Sequence, residues 1–227
     1  MKNVVCDLCF HHCVLKEGQR GFCRARIVKH GKIICENYGK ITSLALDPIE
    51  KKPLRRFHPG SNILSIGSYG CNMRCPFCQN HEISMSETIP YHPISPATLV
   101  ELACAKRKDG NIGIAFTYNE PLISYEYVFD CAVAAKAKDL AVVIVSNGMI
   151  ETTKLLALLP YVDAMNIDLK GFQDNIYEEL AGNLEQVKET IRCAAAHTHV
   201  EITSLIVPRR NDAIADICLL YTSDAAD

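Results

Sequence analysis

Residues 67–80, GSYGCNMRCPFCQN, carry Cys71, Cys75 and Cys78 at spacing C-x3-C-x2-C, with no fourth cysteine following. Three thiolates on one short loop can hold three corners of a [4Fe-4S] cube and leave the fourth iron open to an external ligand. Ferredoxin-type runs instead supply a full set of four cysteines. The competing reading is a zinc knuckle completed by a distant ligand such as His81. A closed structural site accounts poorly for so tight a triplet placed directly after a strand, so the cluster is the favoured reading.

A second group, Cys6, Cys9, Cys13 and Cys23 in CDLCFHHCVLKEGQRGFC, has spacing C-x2-C-x3-C-x9-C, with Gly18 and Gly21 letting the chain fold back. Four thiolates suffice for tetrahedral zinc or for a second iron-sulfur cluster, and ligand softness does not separate the two. His11 and His12 are competing donors. The remaining cysteines are isolated: Cys35 in a strand-like run and Cys104, Cys131 and Cys193 in helix-like segments read as small buried hydrophobes.

The elements that must position the triplet alternate. From residue 62 onward, β-branched runs (NILSIGS, NIGIAFTY, LAVVIVS, VDAMNIDL, HVEITSLIVP) are separated by helix-length segments. This pattern predicts five parallel strands joined by right-handed crossovers, an α/β fold that is a partial (β/α) TIM-like barrel. Ligands of such folds gather at the C-terminal ends of the strands. The expected rim residues are Gly67 and Ser68, Asn119 and Glu120, Ser146 and Asn147, Asp168 and Lys170, and Arg209 and Asn211. Asn119 and Glu120 before Pro121 also suit a helix start. Asp168 and Lys170, two apart, share one strand face and can pair.

Bulk properties narrow the class. The 227-residue chain is 48% hydrophobic and 22% charged, with a formal net charge of -2. These values predict an ordinary globular protein and give no electrostatic footprint for nucleic acid. No run reads as a signal peptide or a membrane span, so a cytoplasmic protein is expected, and its 12 cysteines are metal-ligand or redox candidates rather than a disulfide framework.

CNMRCPFC resembles the radical S-adenosylmethionine (SAM) signature, C-x3-C-x-aromatic-C, with Phe77 as the aromatic residue. Together with DPIEKKPLRRFHPGSNILSIGSYG, AFTYNEPL, VSNG, MNIDLKGF and VEITSLIVPRRND, it is similar to the radical SAM member of the AmmeMemoRadiSam system, a group related to the pyruvate formate-lyase activating enzymes. The resemblance implies that SAM chelates the open iron of a cluster held by Cys71, Cys75 and Cys78. It further implies reductive cleavage of SAM to a 5'-deoxyadenosyl radical that abstracts hydrogen from an unidentified substrate. Phe77, Asn119, Glu120, Ser146, Asn147, Asp168 and Lys170 are the expected SAM contacts. Many relatives have two glycines and an acidic residue where this chain has Asn119 and Glu120.

The implied partners are an electron donor such as flavodoxin or ferredoxin, and a protein substrate or the other components of the AmmeMemoRadiSam system. Alternatives are an activase that installs a glycyl radical on a partner protein, and a non-catalytic iron-sulfur redox protein. Three regions are expected: a Cys-rich metal-binding segment (1–60), the radical SAM core (61–212) and a non-native tail (213–227). The resemblance stops near Asp212, and CLLYTSDAAD resembles translated sequencing-adapter sequence. A barrel shortened there leaves an unpaired strand edge and poor solubility is expected.

Overall fold

The computed structural model describes residues 3–86 and 89–223. The last four residues of the stretch expected to be a non-native tail, 224–227, lie outside the described residues; a helix, Ile214–Ser223, precedes them.

One six-stranded sheet organises the molecule. Its strands are β1 (Ser43–Pro48), β2 (Asn62–Gly67), β3 (Asn111–Phe116), β4 (Ala141–Ser146), β5 (Ala164–Asp168) and β6 (His199–Thr203), in spatial order β6-β5-β4-β3-β2-β1. The five strands from β2 to β6 are parallel, as the alternating pattern predicts. β1 runs antiparallel against β2, from Ser43 opposite Gly67 to Pro48 opposite Asn62. It lies inside the stretch 1–60 expected from sequence to be a Cys-rich metal-binding segment, yet it belongs to the main sheet.

Four helices cross between the parallel strands: α1 (Pro96–Ala105), α2 (Tyr125–Lys136), α3 (Thr152–Leu158) and α4 (Leu184–Ala195). Ser95 caps α1 by accepting the Thr98 amide, with Pro96 in the first turn, and Asn183 caps α4 by accepting the Gln186 amide. The helices bury one face of the sheet through alternate strand residues such as Leu64, Ile66, Ile114, Phe116, Val142, Ile144, Met165 and Ile167. Each such side chain removes roughly 1.5–3 kcal/mol worth of apolar surface from water.

The opposite, concave face is filled at its base by the strap that follows β1. Ile49 and Leu54 pack there with Ile63, Ala115, Val143 and Ala164. The strap also carries Lys52, 2% exposed, whose ammonium is 2.9 Å from Asp47. Asn166, fully buried on β5, donates to the Pro53 carbonyl, and the Glu201 carboxylate accepts the amides of Arg55 and Arg56. An acid inside β6 and an amide inside β5 therefore serve to fasten the strap. Ile49 and Leu54 of the strap thus cover this face where Ile63, Ala115, Val143 and Ala164 present their side chains.

The segment before β1 forms small hairpins (Val4–Val5 with Val14–Leu15, and Arg26–Lys29 with Lys32–Cys35) that lie against the main core. None of the twelve cysteines is disulfide-bonded. Cys131 is fully buried, while Cys104 and Cys193 pack half-buried against the same core.

Candidate active site

A cleft of about 290 Å³ opens at the C-terminal rim of the sheet. Cys71, Cys75, Cys78 and Phe77 line it from the loop after β2, Asn119 and Glu120 from the loop after β3, Ser146 and Asn147 from the end of β4, and Asp168 and Lys170 from the end of β5. Ten residues singled out from the sequence thus share one cavity, although they come from four separate loops.

Glu120 is the electrostatic centre of the cleft. It is 4% exposed, and its carboxylate accepts the Ser146 hydroxyl at 2.9 Å and the Asn147 amide at 2.8 Å. It also accepts the Leu122 amide at 3.0 Å, which makes it the cap of the short 3-10 turn Pro121–Ser124. The helix-start reading of NEP is therefore met by Glu120, one residue beyond the asparagine. Burial pushes the Glu120 carboxyl up to about 7 against these three donors. A cationic group brought into the cleft would reverse that shift and hold the carboxylate ionised.

Asn119 is spent on the cysteine loop. Its carbonyl oxygen accepts the Ser68 amide at 2.9 Å and its amide donates to the Gly70 carbonyl at 3.1 Å. Asn147 does the same from the other side, donating to Asn72 Oδ1 at 2.9 Å, while Asn72 donates to the Met149 carbonyl at 2.7 Å. Lys170 and Asp168 form an ion pair of 2.9 Å. Burial opposes the Lys170 charge, but Asp168 and the Cys75 sulfur hold it above the ordinary lysine range.

Cys71, Cys75 and Cys78, carried on one loop at the edge of the cleft, are a donor set for three corners of an iron-sulfur cube, in which each thiolate binds a different iron. Burial pushes the Cys71 thiol up to about 12 and raises that of Cys75, so their thiolates need a cation beside them. Donors already point at the sulfur: the Met73 amide at 3.4 Å and the Asn147 amide at 3.7 Å from Cys71 Sγ, the kind of contact that tunes a cluster. His81 does not line the cleft; it opens the short helix His81–Met85.

Thr203, Leu205 and Tyr118 are among the lining residues that sequence reading missed. Thr203 ends β6 opposite Asp168 and, with Leu205, closes the cleft on that side. The apolar run SLIVP reads as strand but β6 stops at Thr203, so Arg209 and Asn211 fall in the following turn; Asn211 instead bonds the Lys170 and Leu205 carbonyls. Tyr118 is the third. Its φ of 71° turns its side chain back beneath the rim, where its hydroxyl donates to Asp47 at 2.6 Å. Gly67 leaves the room for this, because a Cβ there would lie 2.9 Å from the Tyr118 side chain. No local signal marks Tyr118, since its partner is 71 residues away.

The same residues carry the relationship to known proteins. The chain is 43% identical to the uncharacterized protein MJ0808 of Methanocaldococcus jannaschii over 221 residues, 96% of this chain and 65% of that protein. It is 33% identical to MJ0674 of the same organism over 128 residues, 53% of this chain and 32% of that protein. The chain thus spans less than two thirds of the length of either relative. Solved structures of like fold include Streptococcus suis SuiB bound to S-adenosylmethionine (TM-score 0.54, 13% identity, 70% of this chain and 38% of that one). Methylornithine synthase (PylB) is similar in fold as well (TM-score 0.53, 15% identity, 76% of this chain and 53% of that one). The family model of the Radical SAM superfamily matches residues 65–220, from within β2 through every loop that lines the cleft, and the chain belongs to that superfamily.

Proposed function

We propose that this chain is the catalytic core of a radical SAM enzyme that cleaves SAM reductively and uses the product to take hydrogen from an organic substrate. The observation that carries this reading is the shared cleft. Three cysteines on one loop face the Glu120–Ser146–Asn147 network and the Asp168–Lys170 pair across a single cavity plugged at its base. When bound, the cluster supplies the electron for cleavage of the SAM sulfonium.

The chain's own residues divide the remaining work. Cys71, Cys75 and Cys78 hold three irons. Asn119 and Asn147 fix the cysteine loop from two sides, which leaves its position independent of ligand binding. Glu120 and Ser146 present oxygen atoms to the cationic end of SAM. The Asp168–Lys170 pair offers both charges to its amino-acid portion, and Phe77 covers the cluster side of the cleft and keeps water from it. SuiB, which shares the fold, binds SAM.

Within the superfamily, the motifs DPIEKKPLRRF, FTYNEP and NIDLKG favour the AmmeMemoRadiSam member over a glycyl-radical activase. A flavodoxin- or ferredoxin-type protein is the proposed electron donor. The test is anaerobic reconstitution with iron and sulfide, then reduction and electron paramagnetic resonance with and without SAM. A cluster signal that changes on adding SAM, with 5'-deoxyadenosine accumulating, is expected. A cluster indifferent to SAM would overturn the enzyme reading in favour of an electron carrier.

A further inference from the structure

The four N-terminal cysteines meet in space. The hairpin Val4–Val5/Val14–Leu15 brings Cys6 beside Cys13, with the Cys6 amide donating to the Cys13 carbonyl at 3.0 Å. Cys9 lies in the hairpin loop, and Cys23 enters from the turn that precedes the strand Arg26–Lys29. All four line one small cavity of about 10 Å³ together with Arg26. Cys6, Cys9 and Cys23 are buried and Cys13 half-buried.

Backbone amides are directed at the sulfurs. Phe22 donates to Cys13 Sγ at 3.4 Å, the His11 amide faces Cys9, and those of Ala25 and Arg26 face Cys23. Burial raises the Cys9 and Cys23 thiols, and these amides offset only part of it. Arg26 is 5% exposed, and its buried Nε has no hydrogen-bond partner among the described residues. Its guanidinium is paired with Glu126, but the residue lines the same cavity as the three buried sulfurs and the half-buried Cys13, where the unpartnered Nε is a donor that a dianionic metal tetrathiolate would employ. His11 and His12 line the same cavity, but His11 Nε2 bonds the Asn72 carbonyl at 2.8 Å and His12 Nε2 lies 3.4 Å from Glu151.

We propose that Cys6, Cys9, Cys13 and Cys23 bind a single zinc ion as a closed tetrathiolate site that braces the cluster-binding loop. A cavity with room for about one water-sized sphere suits one ion and not a four-iron cube. Binding replaces four thiol protons by one zinc, and those protons pass to solvent. Without an ion the sulfurs do not converge on one point, as neutral thiols have no reason to, so their side chains turn inward on binding. The bracing contacts are already made. Arg74 donates to the Phe22 carbonyl and lies 3.9 Å above the Phe22 ring, His11 holds Asn72, and Gly70 packs on the Cys23 carbonyl.

The zinc site stands whether or not the chain cleaves SAM; only the bracing role rests on Cys71, Cys75 and Cys78 holding a cluster. The experiment uses the full chain carrying Cys71→Ala, Cys75→Ala and Cys78→Ala together, so that iron at the cleft is removed. One zinc per chain is expected, and cobalt substitution should give thiolate charge-transfer and tetrahedral ligand-field bands with no imidazole signature. Adding Cys9→Ser and Cys23→Ser should abolish both, while Cys131→Ser should leave them intact. No zinc or cobalt uptake, or an iron-sulfide chromophore in the triple variant, would overturn the site. If the additional variants do not fold, the cobalt spectrum of the triple variant still counts the thiolates. In the chain with its cleft cysteines intact, Cys9→Ser with Cys23→Ser should lower iron retention several-fold; unchanged retention would overturn the bracing role.

Discussion

Asn119, on the loop after β3, accepts the Ser68 amide through its side-chain oxygen at 2.9 Å and so fixes the start of the loop that carries Cys71, Cys75 and Cys78. The contact joins two strand ends 51 residues apart in sequence. It replaces a backbone ladder that cannot continue once the chain leaves the sheet.

Asn119→Ala would leave the Ser68 amide and the Gly70 carbonyl without partners in a buried setting. A loss of about 1–3 kcal/mol in unfolding free energy is expected, together with weaker iron retention after reconstitution. Denaturant unfolding and iron analysis check this, and unchanged values for both would refute the positioning role.

Glu120 makes stability depend on pH in an unusual direction. Its carboxyl is raised from 4.5 to about 7 by burial, so between those values the unfolded chain has released a proton that the folded chain keeps. The folded state binds more protons there, so this group's contribution falls as pH rises from 4.5 to 7. The SAM-free protein should lose that increment across the window, and Glu120→Gln should not. Parallel pH slopes for the two proteins would contradict the burial argument.

Asp47 works in the opposite sense. Burial works against its ionisation, but the Tyr118 hydroxyl and the Lys52 ammonium hold its carboxyl well below the ordinary range. Its contribution is present at neutral pH and is lost as pH falls below 3.8 toward the depressed value. Tyr118→Phe should cost about 1.5–3 kcal/mol at neutral pH and shrink this acid-range loss. Lys52→Met, which removes the buried ammonium from a carboxylate that Tyr118 and Lys51 still hold, should cost about 1.5–3 kcal/mol. Thermal or urea unfolding of the two variants across pH measures both effects.

Gly70 has a φ of 89° and leaves no space for a Cβ against the Cys23 carbonyl. Gly70→Ala combines an unfavourable left-handed residue with a collision, and roughly 2–5 kcal/mol of destabilisation is expected. Limited proteolysis should then cut between the N-terminal hairpins and β1 sooner than in the parent chain. Gly60→Ala, also at positive φ but with open space around it, is the control for the conformational part alone.

Much of the architecture was legible because it is written in short-range patterns. Alternating apolar residues specify the two faces of β2 to β5, and the C-x3-C-x2-C spacing limits three thiols to one loop. β1 was not legible: SLALDP looks like a connector, and only pairing with β2 makes it a strand. Nor was the end of β6, where the apolar run SLIVP continues after pairing has stopped.

The sequence by itself determined which side chains could do chemistry: the covalent spacing of Cys71, Cys75 and Cys78, the acid of FTYNEP, and the two charges of NIDLKG. Only the tertiary structure decided what each is for. It joins Glu120 to Ser146 across 26 residues, Asn119 to Ser68 across 51, and Tyr118 to Asp47 across 71. It likewise sets His11 against Asn72 across 61 residues. Local spacing is fixed by bond geometry, whereas a contact over such a separation exists only once packing has met the entropy of closing the loop.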